Sequence, residues 1–348
     1  MRYDVAIVGA GPAGSTCAAL CAQAGLRTLL IERATFPRDK VCGDCVNPAC
    51  WPILDRLGVR ERVLAQPHSQ LSAVEFVDLN GRSIRISLPR GKVAITRRLL
   101  DDVLRARAVE CGVEVREGAT VTALTRGWTI ETDAGAFSAK TLVAADGRNS
   151  TVARLLGLQP AATRDRIGLQ THLPAPSDFG EKVALHFLAH GYAGVASVGD
   201  GQLNLCLVAR APHLDAIKAW AARTFALPAD QPWRTITPLT RRDIPPVHND
   251  LLLVGDAARI VEPFTGEGIY YALATGALAA GRIVAGDLRG YADAHSRLYR
   301  GRLWINRLAR AAVLSPRLAS FALGLARMRP ELLRYLTAKV VGTPTSIV

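Results

Sequence analysis

Asp4-Val5-Ala6-Ile7-Val8, then Gly9-Ala10-Gly11-Pro12-Ala13-Gly14, then an alanine-rich stretch to Gly25, then Thr28-Leu29-Leu30-Ile31-Glu32: these twenty-nine residues decide the fold. The first run is continuously apolar after Asp4, as expected of a strand buried on both faces of a parallel sheet. Gly9 permits a tight turn, Gly11 lets backbone approach a pyrophosphate, and Gly14 allows a helix to pack on the strand. That helix is predicted over residues 13–24, with Pro12 at its start, its N-terminus toward the pyrophosphate and Gly25 ending it. Glu32, eighteen residues after Gly14, stands near the spacing of about twenty expected for the acid that binds ribose hydroxyls. Strand, glycine turn, helix and acid together predict a dinucleotide site.

With 348 residues, 49% apolar and 21% charged, the chain reads as globular and long enough for more than one core. No apolar run reaches the roughly eighteen residues that span a bilayer, and the N-terminus carries the glycine turn where a signal peptide would carry a basic flank. A cytoplasmic protein is expected. Its seven cysteines are an odd number, so a disulfide framework is not expected. The formal charge is +13, and ten Arg or Lys against the single acid Glu331 lie after Ser296. There Arg alternates with Leu, Ile, Trp and Phe at helical spacings interrupted by Pro316 and Pro330, which predicts basic amphipathic helices over 296–348. Such helices suit packing on their own domain, contact with an anionic membrane surface, or an acidic protein partner. Nucleic acid is not expected, because the stretch matches no groove-reading module and offers few stacking rings.

Along the chain, residues 36–45 are too polar and glycine-punctuated for a strand. Residues 72–78 and 83–88 alternate about Asn80-Gly81, a hairpin signal. A helix is predicted over 99–111, a meander near Val121, Thr129 and Phe137, and a buried strand at Thr141-Leu142-Val143-Ala144-Ala145 leading to Asp146-Gly147. Residues 183–187, 192–198 and 202–208 predict an antiparallel sheet with a helix over 214–225, and Leu251-Leu252-Leu253-Val254 returns to the buried parallel type before Gly255-Asp256-Ala257. The fold class is α/β, α+β overall. A discontinuous Rossmann-like domain (1–70, 97–160, 245–295) accepts an antiparallel-sheet substrate domain (71–96, 161–244), and the C-terminal helices follow.

Three separated motifs, Gly9 to Glu32, Asp146-Gly147 with Ser150 and Arg154, and Gly255-Asp256 with Pro263-Phe264-Thr265-Gly266-Glu267-Gly268-Ile269, resemble the FAD-dependent hydroxylase superfamily. Phe36-Pro37-Arg38-Asp39-Lys40-Val41-Cys42-Gly43 and the segment from Thr265 to Ala272 resemble its geranylgeranyl reductase branch and the related flavin-dependent halogenases. The resemblance implies resident FAD held by Gly9, Gly11, Pro12, Ala13, Gly14, Glu32, Arg33, Cys42, Gly43, Arg97, Val121, Asp146, Gly255, Asp256, Ala257, Gly266, Glu267, Gly268 and Ile269. Asp256 is implied at the ribityl hydroxyls or a phosphate, and the helix beginning near Gly268 would turn its positive end to the flavin. Arg97, followed by Asp101, is implied near the flavin phosphates; Arg98 competes for that role, and an exposed ion-paired arginine is the alternative. Asp146 is read as ordering its turn.

Cys42 is placed by the resemblance beside the flavin, either donating a proton to a reduced alkene carbon or lining the pocket; Tyr192 is the second candidate catalytic residue. A Cys42–Cys45 redox pair is a further alternative. Cys42, Cys45 and Cys50 lack a fourth ligand at zinc spacing, so no metal is expected. Halogenation is not expected without the halogenases' tryptophan-rich motif. Tyr192-Ala193-Gly194-Val195-Ala196-Ser197 keeps the tyrosine of the prenyl reductases' cavity strand but loses its other rings and proline, which predicts a reshaped or opened cavity. The expected activity is hydride transfer between flavin N5 and an apolar, lipid, isoprenoid or carrier-tethered substrate, with NAD(P)H or a reduced carrier as external donor. A monooxygenase acting on an aromatic or polyketide-type substrate and a non-catalytic flavin-bound accessory protein are the rivals.

Overall fold

The computed structural model describes residues 2–161 and 166–341; Met1, 162–165 and 342–348, which fall within the expected 1–70, 161–244 and 296–348 segments, lie outside the described residues. Arg2–Val8 is the central strand of the first sheet. It pairs in parallel on both sides, Val5 to Val8 against Thr28 to Ile31 and, across its other edge, against Thr141 to Ala144. Leu251–Leu253 and Glu114–Glu117 extend the parallel set, and Val247–His248 adds an antiparallel edge.

Because successive side chains alternate in direction, Ile7, Leu30, Val143 and Leu252 enter one core. Ala6, Leu29, Leu142 and Leu251 enter another. Helices Pro12–Gln23 and Gly268–Val284 cover the first face, and Trp128 and Ile130 of the meander cover the second. Burial on both faces is why these strands carry no polar alternation. The meander's third strand and the predicted buried strand at 141–145 are one strand, Gly135–Ala144, since nothing between Phe137 and Thr141 breaks it. Its first half pairs with Thr129–Thr132 and its second with the central strand.

The first turn is as tight as its glycines require. Gly9 takes φ +104°, and a Cβ on Gly14 would run into the Gly9 carbonyl oxygen.

The second sheet runs in the order Arg234–Ile236, Arg166–Pro174, Gln202–Arg210, Gly191–Gly199, Lys182–Leu188, Ser69–Val77, Ser83–Ala94, Cys45–Val46. It was expected to be antiparallel, but Lys182–Leu188 and Ser69–Val77 pair in parallel. These two strands come from separate insertions, so no hairpin dictates their relative direction. Cys45–Val46, inside the 1–70 segment, joins this sheet and ties the 36–45 loop to it. Helix Leu214–Phe225 buries Ile217 and Ala221 on one face of the sheet. On the other, Val313, Ala319 and Leu323 of helices Leu303–Leu314 and Pro316–Met328 pack on Phe187, Tyr192 and Val208. A last helix, Glu331–Val341, follows Pro330.

Gly14→Ala puts a methyl against backbone that cannot move aside. The expected loss is about 3 kcal/mol, the upper end for overpacking, read as a lower denaturant midpoint; a midpoint matching that of the unsubstituted chain would show that the turn has slack.

Candidate active site

Loop 36–45 and the start of helix Arg97–Glu110 build a buried charge cluster against the glycine turn. Asp101, fully buried, accepts two hydrogen bonds from Arg97 (Nε 2.6 Å, Nη2 2.7 Å) and lies 3.0 Å from Arg38 Nη1. Burial alone would lower the Arg97 guanidinium, but Asp101 overrides it and leaves it raised. Arg38 also lies 3.6 Å from Glu32, whose two carboxylate oxygens accept the Ala10 and Ala34 amides at 2.9 and 3.1 Å. Lys40 completes the set, lowered to about 8 by burial and then by Arg97 and Arg38. Three cations thus share two carboxylates beside Gly11, where the ends of Arg38 and Arg97 each stand 3.8 Å from the place of an added Cβ. Arg38 Nε is buried and has no hydrogen-bond partner among the described residues. This donor set asks for an anion.

From Gly11 a cavity of about 910 Å³ runs past Pro12, Ala13, Lys40, Cys42, Gly43 and Arg97 to Gly255, Asp256, Gly266, Gly268 and Ile269. It continues between the second sheet and the C-terminal helices. Asp256 accepts from Arg148 Nη2 at 2.9 Å, and Arg241 binds the carbonyl oxygens of Asp256, Ala257 and Ala258. Gly266 holds φ +65° just before the seventeen-residue helix Gly268–Val284, whose N-terminal amides therefore open on the cavity.

Cys42 lies in the middle of this cavity. Its carbonyl oxygen accepts from Gln170 Nε2 (2.9 Å), Asn204 Nδ2 (2.8 Å) and Cys206 Sγ (3.2 Å). Asp44, fully buried with φ +54°, accepts from the Arg97 amide at 3.2 Å and lies 3.1 Å from His172 Nε2. Burial pushes the Cys42 thiol up, against the opposing pull of Arg97, so the thiol keeps its proton at neutral pH. Every cysteine in the chain, Cys45 included, is a free thiol.

Tyr192 lines the cavity edge-to-face with Phe264, ring centroids 5.1 Å apart, and Phe187 and Phe76 lie 5.5 and 6.5 Å from Phe264. The rings absent from residues 193–197 are supplied by neighbouring strands and by the loop before Gly266. The chamber is reshaped, and it is apolar.

Other sequence candidates lie elsewhere. Arg98 is exposed, and so is Arg33. Val121 is packed with Ala119 and Ile130 in the core, away from the cavity lining. Asp146 Oδ2 accepts the Val152 amide at 3.0 Å and orders the turn; Arg154, of the same motif, is exposed. Glu267 turns away from the cavity to Arg302 Nη1 (2.7 Å) and Asn306 Nδ2 (3.1 Å). Sequence reasoning left Arg38, Lys40, Gln170 and Asn204 without roles, because no local pattern distinguishes them from surface residues. It also missed Lys92, buried in the cavity wall with its ammonium 3.8 Å from the Gly266 Cβ position.

Residues 2–190 match the family model described as FAD binding domain. The chain belongs to that family. It is 29% identical over 327 residues to the menaquinone reductase of Mycolicibacterium smegmatis, covering 84% of this chain and 79% of that protein. It is 30% identical over 317 residues to digeranylgeranylglycerophospholipid reductase 1 of Methanopyrus kandleri, with 80% of each chain covered. Its fold matches that of a triple mutant of the flavin-dependent brominase Bmp2 with a TM-score of 0.81 at 23% identity, over 99% of this chain and 96% of the other. The resemblance of residues 36–43 and 265–272 to the geranylgeranyl reductase branch agrees with these reductase relatives, and the likeness to the brominase is one of fold.

FAD fits the residues present. Arg38, Lys40, Arg97 and the Gly11 backbone suit its pyrophosphate, Glu32 its adenosine ribose, Asp256 its ribityl or phosphate oxygens, and Gly266 to Ile269 its ring. A bound phosphate favours protonated Lys40. Below about pH 8, where that lysine already carries its proton, FAD affinity should be flat; above it, binding must take up a proton, and the dissociation constant should rise by up to about tenfold per pH unit. Lys40→Met should bind more weakly and lose this slope in fluorescence titrations of apoprotein. A slope kept by the variant would assign the proton to another group.

Proposed function

We propose that the chain is an FAD-dependent reductase that saturates a carbon–carbon double bond in an apolar, isoprenoid-type lipid. One observation carries this reading: the chamber that opens from Cys42 and the Gly266 loop is walled by Val74, Phe76, Leu185, Phe187, Tyr192 and the inner faces of the C-terminal helices. A long hydrocarbon chain gains about 0.8 kcal/mol for each methylene buried there. The two reductases compared above are named for a quinone and for an isoprenoid glycerophospholipid. We adopt that lipid class and neither molecule.

Reduced FAD, when bound, supplies hydride from N5 to one alkene carbon. Proton delivery to the other carbon is assigned to Cys42 Sγ. The thiol stays protonated at neutral pH because burial raises it, and three donors to its carbonyl oxygen fix its backbone. The Arg97 charge favours the ionised form of Cys42, so the thiolate left behind is stabilised by a cation until it regains a proton from water. Tyr192 and its phenylalanine neighbours exclude water and orient the chain. The donor that reduces FAD is taken to be NAD(P)H or a reduced carrier, visiting without a second nucleotide fingerprint in the chain.

The test is anaerobic turnover with a polyprenyl quinone or a geranylgeranyl lipid, read by mass spectrometry. The expected product gains two hydrogens without oxygen; an obligatory oxygen requirement with oxygen incorporated into the product would overturn the reading in favour of a monooxygenase. Cys42→Ser should keep FAD and slow turnover by at least about a hundredfold, the lower range for a general acid. Unchanged turnover would remove the donor role.

A further inference from the structure

We propose that helices Leu303–Leu314, Pro316–Met328 and Glu331–Val341 form a docking face for an anionic lipid bilayer, and that the chamber beneath them takes its substrate from that bilayer. The second half rests on the function proposed above; the first stands on the surface alone.

Among the described residues, nine of the twelve exposed large apolar side chains lie on these three helices. Leu318, Phe321 and Met328 are 71, 68 and 80% exposed, although their helix already buries Ala319 and Leu323 on its inner side. The inward contacts are complete. Arg327 bonds Asp78 at 2.9 Å, Arg302 bonds Glu267 at 2.7 Å, Ser320 Oγ accepts the Leu79 amide at 3.1 Å, and Asn47 Nδ2 donates to the Val340 carbonyl at 2.9 Å. The outer face is therefore apolar without serving the fold, and contiguous apolar surface of this kind marks an interaction site.

Charge selects the occupant. Arg307, Arg317 and Arg334 are exposed on the same helices and Arg329 in the break between the last two, and among the described residues none of them is in an ion pair. Apolar side chains flanked by unpaired arginines match the interface of an anionic bilayer, where rings and aliphatic chains enter the acyl boundary and guanidinium groups meet phosphates. No single helix among the described residues is long and apolar enough to cross a membrane, and the first two helices meet at 110°. Both helices pack on the second sheet through Val313, Ala319 and Leu323. Leu325, Met328 and Leu332 are exposed and also line the chamber, so the apolar helix surface is continuous with the chamber wall and an apolar chain can pass from one to the other.

The full-length holoprotein is sedimented with vesicles of phosphatidylcholine alone or containing phosphatidylglycerol. Binding should require the anionic lipid and weaken with salt. Removing Arg317 or Arg334 as Gln should weaken it about fivefold each, the equivalent of about 1 kcal/mol per arginine at the surface. Leu318→Glu with Phe321→Glu, outside the chamber lining, should abolish sedimentation while leaving the flavin absorbance and the thermal midpoint in place. Absence of vesicle binding, binding that these variants retain, or a solution dimer that the double variant dissociates would each overturn docking. Vesicle binding with no reduction of any apolar substrate would leave the docking face standing and sink the function proposed above. Turnover with no vesicle binding would do the reverse.

Discussion

A fully buried carboxylate, Asp101, on which Arg97 and Arg38 converge, is the constraint from which the site is built. A lone buried carboxylate is costly, and one held by a bidentate guanidinium is tolerated only when geometry and further hydrogen bonds are met. Meeting them fixes the start of helix Arg97–Glu110 against loop 36–45, and the Arg97 amide in turn binds Asp44. Asp44 then ties strand Arg166–Pro174 to the loop, through contacts 3.3 Å long to Gln170 and 3.1 Å long to His172. The same three cations that neutralise Asp101 and Glu32 leave a surplus of positive charge at the glycine turn. One cluster therefore anchors a loop, sets the position of Cys42 and prepares an anion site.

The two ends of the cavity are mechanically joined. Glu267 lies between Gly266 and Gly268 in the loop that lines the cavity, yet its carboxylate is spent on Arg302 and Asn306 at the start of the C-terminal helices. The Glu262 amide binds Asn306 as well, at 2.8 Å, and the Glu262 side chain pairs with Arg166 at 2.8 Å. A buried ion pair broken on one side leaves the other charge stranded. The roof of the apolar chamber and the Gly266 loop are thus held in one register by polar contacts, while the roof's outer surface is left apolar.

Much of the fold was legible because it is local. The strand–turn–helix–strand–acid unit, the hairpin at Asn80-Gly81, the helix over Leu214–Phe225 and the breaks at Pro316 and Pro330 all follow from periodicity and from residues with restricted backbone choices. The parallel pairing of Lys182–Leu188 with Ser69–Val77 was not legible, since about a hundred residues separate them and alternation is the same in either direction. Nor was the orientation of Glu267, whose partners stand 35 and 39 residues away. The missing rings of residues 193–197 read as a reshaped or opened cavity, and it is reshaped, because Phe76, Phe187 and Phe264 refill it from three other segments.

By itself the sequence determined a dinucleotide site: backbone freedom at Gly9, Gly11 and Gly14 and an acid at Glu32 are properties of contiguous residues, while FAD in particular was implied by the resemblance of the later glycine loop. The tertiary structure alone decided which cations gather beside Gly11, how Cys42 is held, and that the basic C-terminal helices form the roof of the apolar chamber. Those depend on side chains brought together from distant segments, where burial and charge pairing, not local periodicity, set the outcome.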